Sequence, residues 1–259
     1  IIGFEWLLDP GDHVHHIGLY SSPSEHISKC DETGPHSFMH VWNKGQDENY
    51  LFPTDVGILL ADESKGSGKS LGRIPKSFRL EIHYDNPKKA KGAKDSSGVR
   101  LHYTSKLRKH TAAIMEFGDP RSLLRGEPIG EGLQRHAFSC PDTCTANHVH
   151  NEKGLTVLYE MLHMHKHGLT MQNIQKRNGK EIRRSTVQYY DFNQGAQIVK
   201  QDTFQILPGD SFETLCNYAG DKNLQFGFEL KTEMCMAWVL YYPAEAVHLS
   251  CSHKAEEDG

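Results

Sequence analysis

Side chains in this chain alternate with a period of two far more often than with the 3.6-residue period of a helix. The run Ser77-Phe78-Arg79-Leu80-Glu81-Ile82-His83-Tyr84 alternates polar and apolar positions throughout its length. Successive strand side chains point to opposite faces, so this pattern gives a strip with one wet and one dry face. Residues 13–20, 37–42, 77–84, 98–104, 112–117, 155–165, 185–192, 203–207, 212–217 and 235–242 are candidate strands. They are short, rich in β-branched and aromatic residues, and bounded by Gly, Pro, Asn and Asp. Long amphipathic helices are hard to find. An all-β fold of sandwiches or jelly rolls follows.

With 259 residues the chain accommodates two domains or one large β domain. Gly118-Asp119-Pro120 and the glycines up to Gly132 mark the best boundary, which divides the chain into 1–125 and 126–259. Residues 65–76 and 86–97 read as solvated Gly/Lys loops. Hydrophobic residues make up 37% of the chain, enough for a packed core. A net charge of -4 with no basic stripe gives no reason to expect a nucleic-acid partner. No apolar run approaches the length of a membrane span. The chain opens on Ile1 rather than Met, which reads as a processed or shortened form. Six cysteines fit an oxidising compartment.

Two motifs look chemical and read otherwise. Gly66-Ser67-Gly68-Lys69-Ser70 resembles the end of a phosphate-binding loop, but Glu63 stands where the earlier glycine belongs and no apolar strand precedes it. It reads as a flexible loop. Cys140, Cys144, His148 and His150 approach structural-zinc spacing, though irregularly. In a secreted β protein, disulfides are the expected use of those cysteines, with zinc as the alternative.

Histidine is the commonest metal ligand, and there are 17 histidines here. In Leu162-His163-Met164-His165, a strand would project His163 and His165 side by side from one face, as two ligands of one metal must be. A solvent-facing polar pair is the plainer reading of that spacing. Met234 lies just before the apolar run 236–242. A thioether is a soft ligand suited to Cu(I), so a His2Met set suits redox-cycling copper. Periodicity alone does not join Met234 to His163, and core packing is the commoner role of a methionine. In the first half, His15, His16 and His83 could supply three imidazoles. Adjacent strand residues point to opposite faces, so His15 and His16 can share a metal only at a strand end or bulge.

Several blocks in order resemble the copper type II, ascorbate-dependent monooxygenases. They are His13-Val14-His15-His16, Arg79-Leu80-Glu81-Ile82-His83-Tyr84-Asp85-Asn86-Pro87 and Asp95-Ser96-Ser97-Gly98-Val99-Arg100-Leu101. In the second half they are Leu162-His163-Met164-His165 with Gly168, Leu207-Pro208-Gly209-Asp210, and Glu233-Met234-Cys235 followed by Tyr241-Tyr242-Pro243. The resemblance covers nearly the whole chain. It implies two packed antiparallel β-sandwich domains with one copper each. His15, His16 and His83 match the ligands of an electron-transfer copper. His163, His165 and Met234 match those of an oxygen-activating copper. The implied reaction is ascorbate-driven hydroxylation of an aliphatic or benzylic C–H bond with O2, in a secreted or secretory-lumen protein. The implied partners are O2 and a small-molecule substrate, and an oligomer is open. A non-catalytic copper-binding module of the same fold is the competing reading.

The resemblance also bears on substrate and cross-links. The peptide-specific members place an arginine where Met161 stands, and an asparagine and a tyrosine where Met236 and Trp238 stand. A buried peptide carboxylate without a partner is costly, so a small amine-like or apolar substrate fits better. Glu160 could pair with an amine or face solvent. Cys216–Cys235 and Cys140–Cys251 match two disulfides of the second domain, leaving Cys30 and Cys144, whose counterparts in relatives bond to segments outside this region. Thr156 stands where relatives usually carry a histidine near the second copper, and Ser22 where they carry a disulfide cysteine.

Overall fold

The computed structural model describes residues 1–9, 13–22, 37–47, 49–60, 77–86, 88–118, 120–194, 197–199, 203–229, 231–244, 248–251 and 253–254. The Gly66–Ser70 segment, the loop at 65–76 and Cys30 lie outside them. The chain forms two compact units. The first comprises Ile1–Ala113 with Asn193–Gly195 and Tyr242–His248; the second comprises Ile114–Phe192, Ala196–Tyr241 and Leu249–Gly259. The expected division at 125/126 differs from this by the stretch 114–125 and by 193–195 and 242–248, which group with the first unit. Strand Ala113–Gly118 in that stretch is hydrogen-bonded into a sheet of the second unit.

The first unit contains β1 (Gly3–Leu7), β2 (Val14–Ser22), β3 (Ser37–Asn43), β4 (Asn49–Leu51), β5 (Val56–Gly57), β6 (Ser77–Tyr84), β7 (Gly98–His102) and β8 (His110–Thr111). One sheet has the order β4-β1-β7 and another β3-β2-β6, both antiparallel, and β5 and β8 form a short parallel pair. The two larger sheets meet over an aromatic core. Phe4 of β1 packs edge-on to His40 of β3, ring centroids 4.6 Å apart, and Trp6, Tyr50 and Phe52 close around them. His40 donates to the Val41 carbonyl through Nδ1 (2.9 Å), and burial drives its pKa down to about 4.

The second unit contains β9 (Ala113–Gly118), β10 (Gly132–Cys140), β11 (Leu155–His163), β12 (Gly168–Arg177), β13 (Lys180–Val187), β14 (Gln197–Val199), β15 (Phe204–Ile206), β16 (Asp210–Gly220), β17 (Met236–Tyr242), β18 (His248–Ser250) and β19 (His253–Lys254), with short helices α1 (Pro120–Arg125) and α2 (Asp142–His148). Its sheets run β13-β12-β16-β10-β19 and β14-β11-β17-β9-β18, with β15 also on β11. Phe117 of β9 stacks on Phe212 of β16 at 4.1 Å, so the two sheets face each other as a sandwich. The all-β architecture is the one the period-two pattern implies.

The differences from the sequence reading are local. β12 was not expected, because its inward positions include Asn173 and Gln175, both fully buried. They are tolerable because Asn173 binds Glu160 and Thr214, while Gln175 binds Asp210. The expected strand at 185–192 begins earlier, at Lys180. Asn178 and Gly179, with φ of 52° and 73°, form the tight turn between β12 and β13. β11 stops at His163, so the expected strand to residue 165 loses its last two residues.

Candidate metal centres

The pairing of β2 with β6 shifts register between Val14, opposite Tyr84, and His16, opposite His83. His15 is therefore the extra residue of a bulge, the one arrangement that lets adjacent strand residues share a face. The Nδ1 atoms of His15 and His16 are 3.1 Å apart, and those of His16 and His83 are 3.4 Å apart. The ligand atoms of all three lie within 4.8 Å of one another. A neutral imidazole carries one N–H and one lone pair. Three ring nitrogens gathered at one spot suit a shared cation better than they suit each other. His15 is buried and the other two are half-buried.

In the second unit, the rings of His163 and His165 lie 5.1 Å apart at 81°. They come together although the strand ends between them. The backbone at Met164 is held by Tyr190, whose hydroxyl accepts from the Met164 N–H (3.0 Å) and donates to the Met164 carbonyl (2.5 Å). The Glu233 carboxylate accepts the His165 and His167 amides, 2.7 Å each. His165 Nδ1 lies 2.7 Å from the Thr232 carbonyl. A carbonyl can only accept, so Nδ1 carries the proton and Nε2 is left with the lone pair for a metal. Burial raises the Glu233 pKa to about 7, against the pull of the His167 and His165 amides.

Met234 follows Glu233 directly and is buried. Its carbonyl accepts from the Tyr218 hydroxyl (2.9 Å), and the next residue, Cys235, is bridged to Cys216. The loop also rests on Gly118, where φ is 125° and a Cβ would collide with the Cys235 carbonyl. Gly168 has a similar role: a Cβ there would meet the Met164 side chain. The geometry thus brings the Met234 segment to the His165–His167 stretch through Thr232 and Glu233. An imidazole pair with a thioether neighbour suits copper in both oxidation states, so the residues present fit the metal that the sequence implied.

Trp238 stands beside His163 (5.5 Å, 35°), and its indole N–H donates to Glu116 at 2.8 Å. Glu160 neither faces solvent nor awaits an amine. It is buried, and Asn173, Arg183 and Ser185 donate to it. Met161 is fully buried on β11. Cys140 is bonded to Cys251, with Cα atoms 5.1 Å apart, and Cys216 to Cys235, 6.0 Å apart. The Cys144 sulfur also lies against Cys251. Among the described residues, the cluster around Cys140 and Cys144 is completed by Cys251 and not by His148 or His150, which leaves the zinc set without its histidines. Sequence reasoning gave no role to Tyr190, Thr232, Glu233 or Glu116. Glu233 was visible as the neighbour of Met234, whereas nothing in the sequence marks Tyr190.

A family model described as "Copper type II ascorbate-dependent monooxygenase, C-terminal domain" matches residues 111–258. The chain is 32% identical to DBH-like monooxygenase protein 1 of Homo sapiens, over 89% of this chain and 39% of that protein. It is 29% identical to dopamine beta-hydroxylase of Rattus norvegicus, over 100% and 43%, and 30% identical to the Homo sapiens enzyme of that name, over 96% and 42%. The chain thus spans about two fifths of the length of the curated relatives it matches. The family match covers more than half of the chain, and relatives above 30% identity cover most of it: this chain belongs to the copper type II ascorbate-dependent monooxygenase family.

Proposed function

We propose that the chain is a two-copper, ascorbate-driven hydroxylase of an aliphatic or benzylic C–H bond in a small amine-like or apolar substrate. His15, His16 and His83 would hold the electron-transfer copper. His163, His165 and Met234 would hold the copper that meets O2. The observation that carries this reading is the unlike donor chemistry of the two sets. One is three imidazoles; the other pairs imidazoles with a thioether, which favours Cu(I), the form that reacts with O2. Bound copper supplies the one-electron chemistry and the activation of O2.

The chain's own residues then have distinct tasks. The Thr232 carbonyl fixes the His165 tautomer so that Nε2 is the donor. Trp238, beside His163, offers an aromatic wall for an apolar substrate. Glu116, half-buried and accepting from the Trp238 indole N–H, is the carboxylate proposed for the amine-binding role that Glu160 cannot fill. Fully buried Met161 offers no grip for a peptide carboxylate, which supports a small substrate. The disulfides fit a secretory route. A copper-binding module without turnover is the second reading, favoured by Thr156 at a position where relatives usually carry a histidine.

Copper titration with ascorbate-driven O2 uptake tests both. The expected result is two coppers per chain, one in His83→Ala, and O2 uptake that Met234→Ile abolishes while remaining folded. Two coppers without uptake in wild type would favour the binding module. Uptake by Met234→Ile at the wild-type rate would refute the assignment of the second centre.

A further inference from the structure

β11 ends at His163 and β12 begins at Gly168, so residues 164–167 lie between the two strands. Buried backbone N–H and C=O groups that leave a sheet must find other partners. The His165 and His167 carbonyls accept from the Gly168 and Ala219 amides; the other groups find side chains. The Tyr190 hydroxyl takes both polar groups of Met164, the residue between the two candidate ligands. The two oxygens of Glu233 take the amides of His165 and His167, one each. Glu233 is fully buried, and it is covalently next to Met234. One carboxylate therefore ties the histidine segment to the methionine segment.

We propose that Tyr190 and Glu233 are positioning residues of the second centre: together they set where the imidazoles of His163 and His165 stand relative to the Met234 thioether. The inference rests on the reading of that centre as a copper site. Carboxylate chemistry makes it specific. A carboxylate accepts at both oxygens, whereas an amide accepts at one and donates at the other. Glu233→Gln would turn an N–H toward the His165 or His167 amide and break one half of the tie. Tyr190→Phe keeps the ring and removes both bonds to Met164. Neither residue is a copper ligand, so neither change alters the donor set. Groups that orient ligands in this indirect way typically change metal affinity about 10–100-fold when lost.

The test uses the full chain in a His83→Ala background, so that only the second centre loads. Cu(I) affinity is measured by competition with a chromogenic chelator, the Cu(II) form by electron paramagnetic resonance, and the metal-free midpoint by thermal unfolding. Glu233→Gln and Tyr190→Phe are each expected to weaken Cu(I) binding about tenfold or more and to change the Cu(II) hyperfine splitting. Glu233→Asp, which keeps two acceptors, is expected to recover part of the affinity. A lower metal-free midpoint with unchanged Cu(I) affinity and an unchanged spectrum would overturn the proposal and leave both residues as ordinary core polar groups. Tyr190→Phe keeps the question answerable if Glu233→Gln does not fold. If the His83→Ala protein itself bound no copper, the reading of the second centre would fall first, a result distinct from a bound copper indifferent to both variants.

Discussion

The two histidine clusters are built in opposite ways. In the first unit, the ladder between β2 and β6 sets the spacing: His16 pairs directly with His83, and one bulge adds His15. In the second unit, only His163 belongs to a strand, at the very end of β11. His165 lies beyond the end of β11, and Met234 arrives from 69 residues further along the chain on a segment fastened by Glu233, Thr232, Tyr218 and the Cys216–Cys235 bridge. Backbone pairing is a cooperative property of a whole sheet, whereas a tie between side chains can be cut singly. The second centre should therefore be the easier one to detune without unfolding its unit.

Cutting the covalent tie tests this contrast most strongly. Replacing Cys216 and Cys235 together by Ser removes a bridge that closes a loop of 19 residues. Such bridges contribute about 2–5 kcal/mol in small secreted domains. The expected outcome is a lower unfolding midpoint for the second unit, weaker copper binding at His163 and His165, and an unchanged first centre. Trp238 fluorescence follows the second unit and Trp6 and Trp42 follow the first, so one denaturant titration read at both sets of probes separates them. Equal losses in both units would erase the distinction drawn between the centres.

The same contrast explains what the sequence disclosed. The first cluster could be posed as a geometric question, since adjacent histidines need a bulge, and a shift of register is a local feature of one strand pair. His163 and His165 were legible as a pair, although for a partly mistaken reason: the strand supposed to align them stops at the first. Met234 was legible only through family likeness, because long-range ties leave no periodic trace. The buried polar groups were hidden for a related reason. Asn173, Gln175, Ser185 and Thr214 look like solvent-facing positions of a strand, and only their partners, on the neighbouring strand or on Glu160 of the facing sheet, make burial tolerable. The Asn178-Gly179 turn was a readable signal that the period-two pattern did not use.

A second test exploits a difference in acid response. His40 sits in the aromatic core of the first unit, facing Phe4, Trp6 and Tyr50, and Tyr50 is its titratable neighbour. Its folded pKa of about 4 lies below the ordinary histidine value of 6.5. Above pH 6.5 the ring is neutral in both folded and unfolded chains and contributes no pH dependence. As the pH falls toward 4, the unfolded chain takes up a proton that the folded chain refuses, so stability declines across that window and levels off below it. A shift of this size corresponds to about 3 kcal/mol. Denaturant midpoints read through Trp6 and Trp42 between pH 7 and 4 check it. In His40→Phe the decline should flatten; an unchanged slope would mean that other groups govern the acid response.

The smallest expected effect concerns the surface of the first unit. Arg100 and His102 on β7 flank Glu5 on β1, and the Arg100 guanidinium holds the Glu5 carboxyl below its usual range. The geometry is close, at 2.6 Å, yet the groups are exposed to solvent. Water and salt screen such pairs, and many contribute nothing measurable. The β1–β7 ladder runs through five paired residues from Gly3 to Leu7 and does not depend on that contact. Arg100→Ala should therefore leave the unfolding midpoint of the first unit unchanged at physiological salt, and copper binding at His15, His16 and His83 with it. A clear loss of either would mean that the first unit, too, relies on side-chain ties. The centres would then differ in degree only, and the ladder would no longer account for the spacing of the first three histidines.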